Sequence, residues 1–259
     1  MRYKSTRGGL FDIASAEAIK MGIAPDGGLF VPGEKVSIDK VFIDGLVNDN
    51  YRERAEKILS FFLTDFEREE LRECVTKAYG DNFSSPDVVP LVRLHEHLHM
   101  LELWHGPTCA FKDMALQILP HFMVKAIEKT GEKADIVILV ATSGDTGKAA
   151  LEGFADVDGT HIIVFYPNGG VSEVQRLQMV TQTGRNTNAV AVNGNFDDTQ
   201  TGVKRIFNDE GICKAIEEKG YRFSSANSIN WGRLVPQIVY YFSAYAELLK
   251  NKSIRSGIE

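Results

Sequence analysis

The feature that most limits the possible fold of this chain is a series of short strand-like runs that alternate with helical segments over residues 131–232. The runs lie at 136–141, 162–166, 189–192 and 222–225. The helical segments between them begin after Thr146, at Ser172, where a Ser-x-x-Gln capping box with Gln175 is indicated, and near residue 198. The first three runs are continuously apolar, which is typical of strands buried in a parallel sheet. Because helices separate the strands, we predict an α/β fold with a parallel sheet flanked by helices.

The first 95 residues have a different pattern, and we predict a mainly helical N-terminal region there. Two helices are indicated near 50–62 and 65–79, after a short helix that follows Ser15. The pair Thr64 and Glu67 fits a capping box at the start of the second helix. A final helix at 234–249 is apolar on most of its faces, so it should be buried on more than one side.

A lysine follows a Gly-Pro turn at a predicted junction between a strand and a helix. We place the strand at 100–104, the turn at Gly106 and Pro107, and Lys112 in the first turn of a helix that Pro120 should kink. The positive end of a helix dipole disfavours an ammonium ion, and the neutral amine is the form that condenses with an aldehyde. The alternative is a surface lysine whose stem packs on apolar residues while its ammonium group remains in solvent. The apolar residues before Lys112, and its place at the carboxyl end of a strand, favour a ligand site.

A second candidate site is the turn Thr-Ser-Gly-Asp-Thr-Gly at 142–147, between a buried strand and a helix. Small residues let backbone amides approach an anion at a helix N-terminus. The spacing of Gly144 and Gly147, with Ala149 after Lys148, does not fit a Walker loop, and a dinucleotide fingerprint is missing. An ordinary tight turn is the alternative.

A third junction carries Asn and Ser side chains with an arginine, in the sequence Ser-Ala-Asn-Ser-Ile-Asn-Trp-Gly-Arg at 225–233. A guanidinium pairs with two phosphoryl oxygens at once, so this composition suits phosphate recognition. Capping of the last helix by Asn or Ser, with Arg233 on a solvated face, is equally compatible with the sequence.

Two segments look like metal sites but lack the required context, and we predict no metal. His-Glu-x-x-His at 95–99 binds zinc only when a helix brings both histidines to one face. Here the segment joins two strand-like runs, so we predict a hairpin connection. The aspartates of 193–198 are misplaced for a calcium loop, and helix capping is favoured.

Composition narrows the classes of protein that remain. Of 259 residues, 44% are hydrophobic and 25% charged, as in globular proteins. A net charge of −6 gives no indication of nucleic-acid binding. No run reaches the roughly 18 apolar residues of a membrane span, and no signal peptide is recognisable. The three cysteines are too widely spaced for a disulfide framework or a zinc site, so we predict a cytoplasmic protein.

The residues around Lys112 resemble those of a known family. His-Gly-Pro-Thr-x-Ala-Phe-Lys-Asp at 105–113 is similar to the cofactor-lysine motif of threonine synthases, which are pyridoxal-phosphate enzymes of fold type II. The segments 3–8 and 24–30 resemble the opening signatures of the same family. The resemblance implies a tryptophan-synthase-β-like fold with pyridoxal 5'-phosphate as the cofactor.

The resemblance also implies roles for individual residues. The cofactor would contact Phe111, Lys112, which binds its aldehyde covalently, and Asp145, which lies beside its 3-oxygen. The substrate carboxylate would bind at Ser143, Gly144 and Thr146, and the substrate phosphate near Asn227, Ser228, Asn230 and Arg233. Other enzymes of this fold type commonly have Asn where Asp145 stands. Because a carboxylate cannot donate a hydrogen bond to a phenolate-like oxygen, Asp145 must either be protonated or bond to another group.

By the same resemblance, the reaction is the conversion of O-phospho-L-homoserine and water to L-threonine and phosphate. Phosphate is eliminated first, and water then adds at the β carbon. A related phospholyase would instead release a keto acid and ammonia, and a non-catalytic descendant would act as a binding module. The presence of Lys112, Ser143 and Arg233 argues against the descendant.

The implied domain division assigns 1–95 to the N-terminal region and 96–130 to the first part of the large cofactor domain. It assigns 131–232 to a small α/β domain and 233–259 to a helix that returns to the large domain. The family's later loop for the cofactor phosphate, and its later group facing the pyridine nitrogen, have no counterpart in this sequence. We therefore expect the chain to be the N-terminal part of a longer enzyme, and to be inactive or to bind the cofactor weakly by itself.

Overall fold

The computed structural model describes residues 1–255, and its N-terminal region packs helices around a short antiparallel ribbon. Residues 256–259, which end the predicted C-terminal segment, lie outside the described residues. The elements of the N-terminal region are β1 (Tyr3–Ser5), α1 (Ser15–Met21), β2 (Phe30–Pro32), α2 (Lys40–Gly45), α3 (Tyr51–Leu59) and α4 (Arg68–Ala78). The prediction of a mainly helical region is therefore confirmed, with the β1–β2 ribbon as an addition.

The capping box predicted for α4 is wrong. The N-cap is Glu67, and Glu70 rather than Thr64 completes the box. The hydroxyl of Thr64 bonds to the amino group of Met1 instead. Leu63 and Phe66 are both buried, and a turn in which the Phe66 amide donates to the Leu63 carbonyl takes them into the core before the helix begins.

The central segment forms a hairpin and two helices. These elements are β3 (Leu91–His95), β4 (Leu98–Leu101), α5 (Asp113–Leu116) and α6 (Leu119–Thr130). The predicted strand at 100–104 is misplaced, because β4 ends at Leu101 and pairs back on β3. The predicted kink is a complete break, since α5 ends before Gln117 and Pro120 falls in the first turn of a new helix. Proline is tolerated there because the first turn leaves its N–H groups without helical partners in any case.

The parallel sheet follows, and all of its neighbouring strands are parallel, as predicted. Its elements are β5 (Asp135–Ala141), α7 (Asp145–Phe154), β6 (Thr160–Pro167), α8 (Glu173–Val180), β7 (Thr187–Val192), α9 (Phe196–Asn208), α10 (Glu210–Glu217) and β8 (Tyr221–Ser225). The strand order is β7–β6–β5–β8. Alternate residues of β5 enter two different apolar clusters: Ile138 packs in the main core with α7, whereas Leu139 packs with Val203 of α9. Both faces of the sheet are thus covered by helices.

The chain then forms α11 (Trp231–Leu234) and α12 (Pro236–Lys250). Within the described residues, α12 buries one stripe that includes Val239 and Ser243, while Tyr241 remains 68% exposed. The expected burial on more than one side is therefore not seen in this part of the chain. None of the described helices has the length and hydropathy needed to cross a membrane.

The N-terminal region is joined directly to the end of the sheet. The side-chain amide of Asn230 donates to the carbonyl of Ile19 at 3.0 Å, across 211 residues of chain. Gly22 adopts a φ of +73° beside β8, where an added Cβ would lie 2.9 Å from the amide nitrogen of Ser225. Only glycine fits such a backbone conformation and such a close approach. The two regions therefore share one packed interface.

Candidate functional site

The turn before α5 is held by a buried carboxylate. Asp113 is fully buried and accepts hydrogen bonds from the Thr108 amide at 2.8 Å and the Thr108 hydroxyl at 2.6 Å. Gly106 passes so close that an added Cβ would lie 2.5 Å from the Asp113 side chain. The Gly-Pro-Thr sequence is thus folded around Asp113, and the residue before Asp113 has a fixed backbone position.

That preceding residue is Lys112, whose side chain points to the second predicted site. Its Nζ lies 3.3 Å from Oδ2 of Asp145 and 4.3 Å from the centroid of the Phe111 ring. The side chain of Lys112 is 18% exposed, against 48% for Asp145. In the folded chain the amine therefore faces a carboxylate from α7 as well as the N-terminus of its own helix.

The turn at 142–147 is organised by the hydroxyl of Thr142. This oxygen accepts from the amides of Gly144 at 3.0 Å and Gly147 at 2.9 Å. Gly144 has a φ of +151°, a value that residues with a Cβ rarely adopt. This local order directs the first residues of α7, Asp145 and Thr146, toward the lysine.

Gln175 at the start of α8 also reaches Asp145. Its Nε2 donates to Oδ1 of Asp145 at 2.8 Å. The hydrogen bond from Gln175, followed by the charge of Lys112, lowers the pKa of Asp145 below its ordinary value, although partial burial acts in the opposite direction. The sequence identified Gln175 only as part of the Ser172 capping box, which is confirmed. Nothing in the local pattern indicated its second contact.

Arg233 joins the third junction to the same turn. It is only 5% exposed, and it donates to the carbonyl of Ala226 at 2.8 Å and to Oγ1 of Thr146 at 3.3 Å. Burial lowers the pKa of Arg233 to about 10. Among residues 1–255 no carboxylate forms an ion pair with it. A buried guanidinium with no negative partner is costly, which suits a site completed by an anionic ligand.

The other predicted residues of the third junction are placed differently. Asn227 uses its side-chain amide to bridge the backbone of Ala141, and Asn230 is fully buried with partners at both ends of its amide. The alternative expected Asn or Ser to cap the last helix, with Arg233 on a solvated face. Asn230 instead caps the short helix α11, and Arg233 is buried. Ser143 and Ser228 are exposed, and Gly144 is buried within its turn. The structure thus brings Lys112 to Asp145 and Arg233 to the neighbouring Thr146. The side chain of Asn230 instead bonds to the backbone of Ile19, Ser225 and Gly232.

Helices α5 and α7 approach each other closely at the end of α5. An added Cβ on Gly153 of α7 would lie 2.0 Å from the carbonyl oxygen of Leu116, at the end of α5. The backbones are therefore in contact there. This contact holds α5 against α7, and Lys112 and Asp145 lie at the N-terminal ends of these two helices.

The segments that resembled metal sites have other roles. The histidines at 95 and 99 lie on the two strands of the β3–β4 hairpin, where His99 bonds to Ser253. Asn195 caps α9 in a box with Asp198, so the helix capping predicted for 193–198 is confirmed. Within the described part of the chain no group of three or more His, Cys, Asp or Glu residues is arranged to hold a metal ion.

Comparisons with known proteins agree on one family. A family model described as "Threonine synthase N terminus" matches residues 2–79. The chain is 41% identical over 249 residues to threonine synthase of Pseudomonas aeruginosa, covering 96% of this chain and 51% of that protein. It is also 41% identical over 253 residues to threonine synthase-like 1 of Homo sapiens, covering 93% of this chain and 33% of that protein. The crystal structure of pyridoxal-phosphate-bound threonine synthase from Brucella melitensis matches with a TM-score of 0.85 and 41% identity, over 96% of this chain and 52% of the other.

Proposed function

Because this chain belongs to the threonine synthase family and shares its fold type II architecture, we propose that the protein carrying it converts O-phospho-L-homoserine and water to L-threonine and inorganic phosphate. The chain spans about half the length of the bacterial relative and a third of the human one, so the activity is assigned to the whole protein. The observation that carries the proposal is the Lys112 amine facing Asp145 at 3.3 Å, with buried Arg233 joined to the same turn through Thr146.

The residues present fit pyridoxal phosphate as the cofactor. Lys112 offers a partly buried primary amine against the face of Phe111. The amine contacts Asp145 of the β5–α7 junction, and Arg233 joins the β8–α11 junction to the same turn. An aldehyde needs such an amine, held where water has limited access. Asp145 supplies a carboxylate beside the amine. When bound, the cofactor supplies an aldehyde for the lysine and a ring that withdraws electrons from the substrate carbons.

The chain's own groups have separate tasks in this reaction. Lys112 would hold the cofactor through its amine, and the same amine would move protons at the α and β carbons of the substrate. Ser143, Gly144 and Thr146 at the N-terminus of α7 bind the substrate carboxylate. Arg233 binds the phosphate, where negative charge grows as the phosphate leaves. Water must be excluded until phosphate has departed, and the large domain would complete that enclosure.

We assign residues 131–232 to the small domain, and 96–130 and 233–259 to the large domain, which the rest of the protein would complete. The chain alone would then lack the loop for the cofactor phosphate and be inactive. Cys74, Cys109 and Cys213 are all free thiols, which supports a cytoplasmic protein.

The test is to add pyridoxal phosphate and O-phospho-L-homoserine to the full-length protein and to measure phosphate, threonine and keto acid together. Equal amounts of phosphate and threonine are expected. Phosphate with a keto acid and ammonia would support the phospholyase instead. That candidate is kept because a threonine synthase-like protein matches at the same 41% identity as the bacterial enzyme. Cofactor retention without phosphate release would refute both activities and favour a binding module.

Arg233 gives a second, residue-level prediction. Replacement with alanine in the full-length protein should weaken binding of O-phospho-L-homoserine by about 30-fold or more, since a buried charge partner is lost. Homoserine, which lacks the phosphate, should lose only a few-fold. Titration of both ligands measures the difference.

Arg222 provides the matched control, because it lies on β8 rather than on α11 and pairs with Glu132, which is not part of the turn. Arg222→Ala should affect both ligands equally. If Arg233→Ala also weakens the two ligands by the same factor, Arg233 has no role in phosphate binding.

A further inference from the structure

The side chain of Gln175 has a different neighbour at each end of its amide. Its Oε1 accepts from the backbone amide of Ser172 at 3.2 Å and from the Ser172 hydroxyl at 3.1 Å. Its Nε2 donates to Oδ1 of Asp145 at 2.8 Å. One residue therefore connects the start of α8 to the carboxylate that faces Lys112.

The Ser172 contacts settle which way the amide points. A backbone N–H can only donate, so the Gln175 atom beside it must be the oxygen. The NH₂ group is then on the Asp145 side, where it requires an acceptor. The Asp145 oxygen that accepts this hydrogen bond must carry no proton. It belongs either to an ionised carboxylate or to the unprotonated side of a carboxylic acid. The other Asp145 oxygen faces Lys112, which also donates.

Close packing holds this arrangement in place. An added Cβ on Gly144 would lie 2.4 Å from Nε2 of Gln175, so the amide rests directly on the turn. The neutral amide of Gln175 faces Asp145 from α8, and the charged group that faces Asp145 is Lys112. Asp145 thus has a donor on each oxygen, each from a different element.

A capping box alone does not explain why residue 175 is glutamine. Glutamate serves equally well as the third residue of such a box. At this position, however, glutamate would place a second carboxylate oxygen about 2.8 Å from Asp145, and two like charges at that distance repel. Glutamine alone satisfies both Ser172 and Asp145.

We infer that Gln175 is a positioning residue, whose amide fixes the Asp145 carboxylate in the orientation that faces the Lys112 amine. Asp145 stands where other enzymes of this fold type commonly have Asn, and it had either to be protonated or to bond to another group. With Gln175 and Lys112 as donors, the carboxylate bonds to other groups and needs no proton. The inference rests on the proposed function only for the chemistry that Lys112 performs, because the three contacts hold without a cofactor.

The experiment measures how fast Lys112 reacts with acetic anhydride between pH 7 and 10, in the full-length protein freed of cofactor, with the modified peptide quantified by mass spectrometry. Gln175→Met keeps the side chain's length and removes its donor, so Asp145 is released and Lys112 should react about twofold or more faster. Gln175→Glu keeps the cap and adds a charge, so Lys112 should react about threefold or more slowly. The two variants should therefore shift the rate in opposite directions.

Two controls separate positioning from capping. Ser172→Ala removes the cap but leaves the Gln175 amide, so it should lower the melting temperature while the Lys112 rate stays within twofold of the parent. Glu53→Gln changes the charge of the corresponding box on α3, far from the site, and should leave the rate unchanged.

Equal rates for Gln175→Met and Ser172→Ala would overturn the inference, because loss of the cap would then explain everything. An unchanged rate in Gln175→Glu would overturn it as well. The labelling uses neither cofactor nor substrate, so a protein that fails to release phosphate can still show the predicted pair of shifts. Conversely, an active enzyme without these shifts would retain the proposed function and lose this role of Gln175.

Discussion

Lys112→Ala is expected to remove the absorption band of the lysine-bound cofactor from the full-length protein and to slow threonine formation roughly a thousandfold. The side chain has two tasks in the proposed mechanism, covalent attachment and proton movement, and alanine supplies neither. The loss should appear in both the spectrum and the rate, while the fold is retained, since the partly exposed side chain of Lys112 contributes one ion pair to structure.

Two further variants define what the lysine does. Lys112→Arg retains a cation opposite Asp145 but cannot condense with an aldehyde, so it should keep the ion pair and lose the band. Lys148→Ala is the control, because Lys148 lies on α7 and pairs with Glu152. This variant should keep the band. A lysine-type band that persists in Lys112→Ala would remove Lys112 from its assigned role.

Gly153→Ala should destabilise the fold by about 3 kcal/mol, because the new methyl group would lie 2.0 Å from the carbonyl oxygen of Leu116. Backbone cannot rotate away from such an overlap as a side chain can, so α5 and α7 must separate. Overpacking of this kind typically costs about 1–3 kcal/mol, and more where the contact is rigid. Urea denaturation followed by fluorescence or circular dichroism measures the free energy of unfolding.

Gly202 on α9 is the matched control, since no atom lies within 4 Å of its added Cβ. Alanine there should be neutral or stabilise the helix by up to about 1 kcal/mol through its better helix propensity. If the two alanine variants are equally stable, the α5–α7 contact does not hold the site together. Where Gly153→Ala still folds, a slower reaction of Lys112 with pyridoxal phosphate would indicate that the helices have moved apart.

The sequence predicted those parts of the fold that depend on local periodicity. The strand-like runs identified every strand of the parallel sheet, and the Ser172 box and the expected capping at 193–198 marked two helix starts correctly. It misjudged Thr64, because the burial of Leu63 and Phe66 outweighed a local capping pattern. It also extended a strand to residue 104, although the partner strand β3 begins at Leu91, which pairs with Leu101 and leaves 102–104 without a strand partner among the described residues.

Tertiary contacts of the candidate site were harder to foresee. The family resemblance implied that Lys112 and Asp145 both contact the cofactor, but it carried no information about Gln175, which lies 30 residues after Asp145 in the chain. For Asn230, a polar residue in a polar segment suggested ligand binding. Its actual partners, Ile19 and Ser225, are backbone carbonyls that only the folded chain brings together.

The bond between Asn230 and Ile19 has a consequence for how the protein is made. Ile19 of α1 is synthesised 211 residues before Asn230, an interval on the order of 10–40 s at usual translation rates. During that time the surface of α1 that will meet β8 and α11 has no partner. Such distant pairings slow folding and leave apolar surface open to aggregation. The nascent N-terminal region should therefore depend on chaperones until the end of the small domain emerges.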